Sequence, residues 1–289
     1  MTQHSKIIGA LAVGGLLAAC GGGGDSGPRT VFNYQDFNSR VAGESRVAAT
    51  GLTRTLTDGP ADGTEVVLGT LDREPRTISV TVDNAGTITG IYDADNDQWT
   101  DGATVVTAYE DLTGNFDFML PVQISANGES NPYLLGVISR TEDLPTGSGT
   151  TTYSGSAMIG AIMSPDGVAP AEFSESSGDL DLEVSFSTSH ATATMSSLTG
   201  MPFDSVTLQD LQISAGADAT FTFDGGSSIV FLDGGGAFTP QIGAFTTSAD
   251  GAFFGGDPNG PVEAGGAFAV VGEDGNIWGI FAADRRVNP

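Results

Sequence analysis

Between Leu180 and Ser187 apolar and polar side chains change places at every residue: Leu180, Leu182, Val184 and Phe186 alternate with Asp181, Glu183, Ser185 and Ser187. A strand with one face on a core and the other in water has this period of two. A partner follows at once, with Ala191, Ala193 and Met195 alternating with Thr192 and Thr194. Further strand-like runs lie at Tyr133–Arg140, Thr151–Ile162, Val206–Ser214, Ala219–Phe223, Ser228–Leu232, Gly243–Thr247, Gly265–Val271 and Ile277–Ala283. Turn dipeptides at Asp224-Gly225, Asp233-Gly234, Asp250-Gly251 and Asp274-Gly275 predict antiparallel neighbours. Upstream, runs at Val47–Leu56, Val66–Leu71, Thr77–Val82, Thr87–Tyr92, Thr104–Tyr109 and Phe116–Ile124 are separated by turn residues such as Asp58-Gly59, Asp101-Gly102 and Asn127-Gly128. A short helix is expected near Tyr34–Val41.

The predicted class is all-β, in two parts: a β-rich domain over 29–132, then an eight-stranded antiparallel β-barrel over 133–289. Closure removes the edges that an open sheet of this length leaves free to aggregate, and a two-sheet sandwich is the alternative. Glycines inside the strands, among them Gly155, Gly160, Gly265, Gly266 and Gly279, fit bends or close backbone approach.

The first nineteen residues read differently. Lys6 precedes an apolar run from Ile7 to Leu17, which as a helix rises only about 16 Å, half a bilayer core, so 1–19 is expected to be a signal peptide and not a span. Leu17-Ala18-Ala19-Cys20 resembles the lipobox of bacterial lipoproteins, in which the cysteine becomes the acylated first residue. Cys20 is the only cysteine, so no intramolecular disulfide exists. Several acyl chains, palmitate among them, would anchor it firmly where one would not. Gly21 after the cysteine implies passage to the outer membrane, and residues 20–28, rich in glycine, are expected to be a flexible tether.

Charge narrows the partners. Lys6 is the only lysine, so cleavage would leave nine Arg against 36 Asp and Glu. Such a field repels nucleic acid and keeps the chain soluble in salt.

The C-terminal part resembles the barrel of the transferrin-binding protein B family of surface lipoproteins. The carrying residues are Gly251-Ala252-Phe253-Phe254-Gly255, Glu263-Ala264-Gly265-Gly266-Ala267-Phe268 and Gly279-Ile280-Phe281-Ala282-Ala283 with Arg285 behind, together with Tyr153-Ser154-Gly155-Ser156-Ala157. The resemblance covers about half the chain. It implies a single lobe, in which 29–132 is a handle domain and 133–289 the barrel. Full-length family members have two lobes, the turn at Gly256–Val262 is longer than the family's, and no motif matches the handle loops that contact transferrin.

The inventory argues against catalysis. Past residue 19 there is one histidine, His190, no lysine and no free thiol once Cys20 is acylated, so Cys-His nucleophiles, Schiff-base lysines and multi-histidine zinc sites are excluded. His190 reads as an exposed turn residue, with haem or metal ligation the sharper alternative. The run Asp93-Ala94-Asp95-Asn96-Asp97-Gln98-Trp99-Thr100-Asp101-Gly102 spaces Asp93, Asp95, Asp97 and Asp101 somewhat as a calcium loop does, but Gln98 stands where glycine is required and Thr104 where a bidentate glutamate is. A solvated hairpin loop is the plainer reading. Trp99 at its tip is a candidate partner-contacting aromatic. The expectation is a monomeric, non-catalytic outer-membrane lipoprotein, displayed at the cell surface, without cofactor. It would bind a protein or small-molecule ligand in nutrient capture of an iron, haem or carrier-protein kind. The alternative is a structural envelope lipoprotein facing the periplasm.

Overall fold

β1 (Glu44–Thr53), β2 (Gly63–Arg73), β3 (Arg76–Val82), β4 (Gly86–Asp93), β5 (Gln98–Thr100), β6 (Thr104–Ala108), β7 (Met119–Ala126) and β8 (Glu129–Val137) follow one another as antiparallel neighbours in the computed structural model. β8 returns to β1, with Val47 opposite Val137 and Gly51 opposite Tyr133, and the eight strands close into a barrel. The β-rich first domain is therefore itself a barrel, and β8 runs across the 132/133 division expected from the sequence: its second half, Tyr133–Val137, is the part that pairs with β1. The structure describes residues 32–39, 42–53, 61, 63–74, 76–82, 86–93, 98–109, 112, 116–126, 129–164 and 171–286; the signal segment, Cys20, the tether, Asp95 and Asp97 lie outside them.

Ile78, Val80, Ile88, Val106, Ile124 and Leu135 fill this first barrel. The segment before β1 adds a stopper. Residues 34–39 form no α-helix, contrary to expectation; instead Phe37, 1% exposed, enters the barrel core, its N–H donating to the Asp117 carbonyl at 2.7 Å and its ring meeting Trp99 edge-on at 5.9 Å.

The second ring is built from β9 (Thr151–Met163), β10 (Glu172–Ser185), β11 (His190–Ser196), β12 (Ser205–Ile213), β13 (Thr220–Thr222), β16 (Phe245–Phe254), β17 (Glu263–Gly272) and β18 (Asn276–Arg285). Pairing of β11 with β12 and of β18 with β9 closes it as a second antiparallel barrel of eight strands. β14 (Ser228–Asp233) and β15 (Gly236–Phe238) form a hairpin that continues the wall beside β12 where β13 stops. The alternating pattern of β10 holds: Leu180, Leu182 and Val184 are buried inside, and Asp181 and Glu183 are exposed. Asp250-Gly251, expected to be a turn, lies within β16, because the space a Cβ would need at Gly251 is taken by the Phe221 ring.

Both rings belong to one compact unit, Val31–Pro289. Val47 and Ala49 of β1 face the first barrel's core, while Ala48 and Leu52 face the second barrel. β17 and β18 are likewise buried on both faces over their first eight residues. This is why Gly265–Val271 and Ile277–Ala283 read as near-continuous apolar runs: a strand covered on both sides has no wet positions to alternate with. Small residues set the approach. A Cβ at Gly265 would collide with Leu134 of the first barrel, and one at Gly136 with the Phe254 ring of the second. Polar groups cross the junction too: Thr64 donates to Asp250 Oδ2 at 2.7 Å, Thr50 to the Asp250 carbonyl at 3.1 Å, and Asn276 to the Ala61 carbonyl at 3.1 Å.

Candidate functional site

Where β8 gives way to the second barrel, the chain is tied to both. Ile138 bridges to Phe254 and Arg140 to Asp218, the Ser139 N–H donates to the Phe253 carbonyl at 2.8 Å, and the Ser139 hydroxyl to the Gly255 carbonyl. Beside this crossing lies a cleft of about 320 Å³, lined by residues of the entry segment, β1, the crossing and the second barrel. Phe32, 53% exposed, and the Tyr34 ring with Val137 and Ile138 supply its apolar walls. The Tyr34 hydroxyl is held at the back, donating to Asp143 Oδ2 at 2.6 Å and accepting the Arg140 N–H at 2.8 Å. Burial, and then the Asp143 carboxylate, push that phenol well above its ordinary range.

Two guanidinium groups border the same space. Arg46 donates to Asp218 Oδ2 at 2.6 Å, and Arg140 pairs with Glu142 while lying over the Phe32 ring at 5.3 Å. Their side chains are 56% and 43% exposed, so each is oriented by one carboxylate and keeps N–H donors toward solvent. Asp218 Oδ1 is buried without a hydrogen-bond partner. The cleft thus offers aromatic and aliphatic surface rimmed by fixed donors, which is the make-up of a binding site. Neither histidine nor cysteine lines it, the Tyr34 hydroxyl is taken up by Asp143, and Ser45 Oγ accepts from Arg73 at 2.6 Å.

A buried carboxylate also joins the barrels. Glu263, the first residue of β17 and 3% exposed, accepts the N–H groups of Asp117 at 2.6 Å, Phe118 at 3.1 Å and Met119 at 2.8 Å. The segment it grips carries the cleft wall, since the Val137 N–H donates to the Phe118 carbonyl at 2.8 Å and the Gly255 N–H to the Val137 carbonyl at 2.9 Å. Burial raises the Glu263 carboxyl to about 7, against the opposing pull of the three N–H donors.

The residues singled out in the sequence lie elsewhere. Trp99, expected as an exposed aromatic at a loop tip, is 2% exposed in β5, packed in the first barrel against Tyr92 and Phe37 with Arg76 stacked near it. It therefore has no surface to offer a partner; a barrel interior takes large rings that an open hairpin would leave outside. His190, expected to be an exposed turn residue, opens β11 opposite Ser185 and Gln212, half-buried, its Nδ1 enclosed without a partner. Asp93 ends β4 opposite Gln98, and residues 94–97 lie outside the described residues. Asp101 Oδ1 accepts the N–H groups of Thr104 at 2.8 Å and Ala103 at 2.9 Å, and these bonds hold its carboxyl below the usual range. That is the role of a turn-former. Among the described residues no three His, Cys, Asp or Glu side chains gather as a metal set. The cleft residues carried no sequence signal beyond a scatter of Phe, Tyr and Arg between Phe32 and Arg140; Glu263 stood in a motif, but its partners in the first barrel were not visible.

No protein-family model and no curated protein sequence matches the chain. Solved structures do. The chain resembles transferrin-binding protein B. A double mutant of that protein from Haemophilus parasuis Hp5 is 12% identical with a TM-score of 0.45, the match covering 85% of this chain and 59% of the other. A single mutant from the same source is 14% identical with a TM-score of 0.47, covering 84% and 45%. The isotype 1 protein of serogroup B Neisseria meningitidis is 15% identical with a TM-score of 0.42, covering 77% and 50%. The chain thus spans about half the length of these proteins.

Proposed function

We propose that this chain is a non-catalytic binding module, anchored to the outer membrane through lipid on Cys20 and displayed at the cell surface as a monomer, that takes up a ligand in nutrient capture. The observation that carries the reading is the cleft at the barrel junction, where the half-exposed ring of Phe32 shares the lining with Arg46 and Arg140, each pinned by one carboxylate. Fixed donors beside apolar walls suit a ligand with an apolar body and polar acceptors, and an acidic remainder of the surface keeps anionic polymers away.

The purified lipidated protein in detergent, immobilised and exposed to growth medium or host fluid, is expected to retain a reproducible stoichiometric ligand, and the Phe32→Ala/Arg46→Ala double variant to retain less than a tenth as much. Equal retention by both proteins moves the site away from the cleft. Empty captures, together with survival of the protein when intact cells are treated with protease, favour a structural lipoprotein facing the periplasm.

A further inference from the structure

Glu263 stands directly opposite Asp284 in the β17–β18 ladder, and a third carboxyl, Asp117, belongs to the segment whose N–H groups Glu263 accepts. Glu263 and Asp284 meet where the barrels join, whereas the Asp117 side chain is exposed to solvent. The nearest cation along the chain is turned away: the Arg285 guanidinium donates to the Gly260 carbonyl at 3.0 Å and the Pro261 carbonyl at 3.1 Å, and pairs with Asp257. Phe254, across β16 from Glu263, brings no charge. Three N–H donors suit one carboxylate, but a buried carboxylate with a like charge opposite it in the ladder is costly to keep fully ionised.

We propose that a proton taken up by the cross-strand pair Glu263 and Asp284 locks the two barrels together and steadies the cleft wall hung from Phe118. This names a regulation of the site described above and rests on that reading only for its consequence, since the test uses no ligand. A neutral Glu263 keeps its carbonyl oxygen as an N–H acceptor at the loss of charge assistance, whereas the charged form bears the cost of burial beside Asp284.

The direction follows from the shifts. Glu263 is raised from 4.5 to about 7 by burial first and then by Asp284, and Asp284 is itself raised by burial and by Asp117. A closed junction therefore holds the proton more tightly than an opened one. Its contribution to closure is complete below about pH 4.5 and is lost as pH rises through about 7. Acid tightens the junction and mild alkali loosens it.

Hydrogen exchange of the lipidated protein in detergent reads this directly at the Val137 and Gly255 amides, which hang from Phe118. After correction for the intrinsic rate, their protection is expected to rise about tenfold as pH falls from about 8.5 to about 5.5. In Glu263→Gln the rise should vanish, while amides in β10, far along the second barrel, change alike in both proteins. Should Glu263→Gln fail to fold, Asp284→Asn keeps the grip on Asp117–Met119 and removes one facing charge, so the rise should begin at lower pH. A wild-type profile without the rise, or variants that follow the wild type throughout, would overturn the proposal.

Discussion

At the scale of single residues, the positions that matter are those where a side chain leaves its own element to complete another. Phe37 does this for the first barrel, filling a core that eight strands alone leave short of one ring. Phe37→Ala is expected to cost about 3–5 kcal/mol, the usual range for truncating a fully buried ring. Urea unfolding measures the loss, and Trp99 fluorescence should shift to the red in the folded variant because its neighbouring ring is gone. Glu263 does the same between barrels with polar atoms instead of carbon.

At the scale of elements, strands with one wet face announce themselves and strands without one do not. The second half of β10 was readable from Leu180, Leu182 and Val184, though the strand begins eight residues earlier at Glu172, whereas β16 was cut at Asp250-Gly251, because glycine in a strand and glycine in a turn look alike until the ring packed on it is known. Trp99 was misplaced for a related reason: its hairpin was recognised, but which face of a three-residue strand points into a closed ring depends on strands distant in sequence. The cleft was unreadable, since Phe32, Arg46, Arg140 and Asp218 meet only through the packing of two barrels. That packing makes a prediction for β17. Gly265→Ala, which drives a methyl into Leu134, should cost about 1–3 kcal/mol in thermal or urea unfolding, while Gly147→Ala, with nothing within 4 Å, should leave stability unchanged.

At the scale of the whole molecule, charge and closure act in opposite senses. With 36 acidic residues against ten basic ones, self-repulsion weakens the folded state, and salt relieves it. The melting temperature is expected to rise by about 5 °C between roughly 20 mM and 1 M sodium chloride; a flat or falling curve in calorimetry would count against this view of the surface. Closure of the second ring joins its first strand, β9, to its last, β18, across more than a hundred intervening residues, and neither edge is covered until that pairing forms. A chain that emerges from its N-terminus cannot finish this ring piece by piece. It must wait, unsealed, for the final ten-residue strand to arrive, so folding should be slow and should depend on helpers that shield β9 and β17 in the meantime.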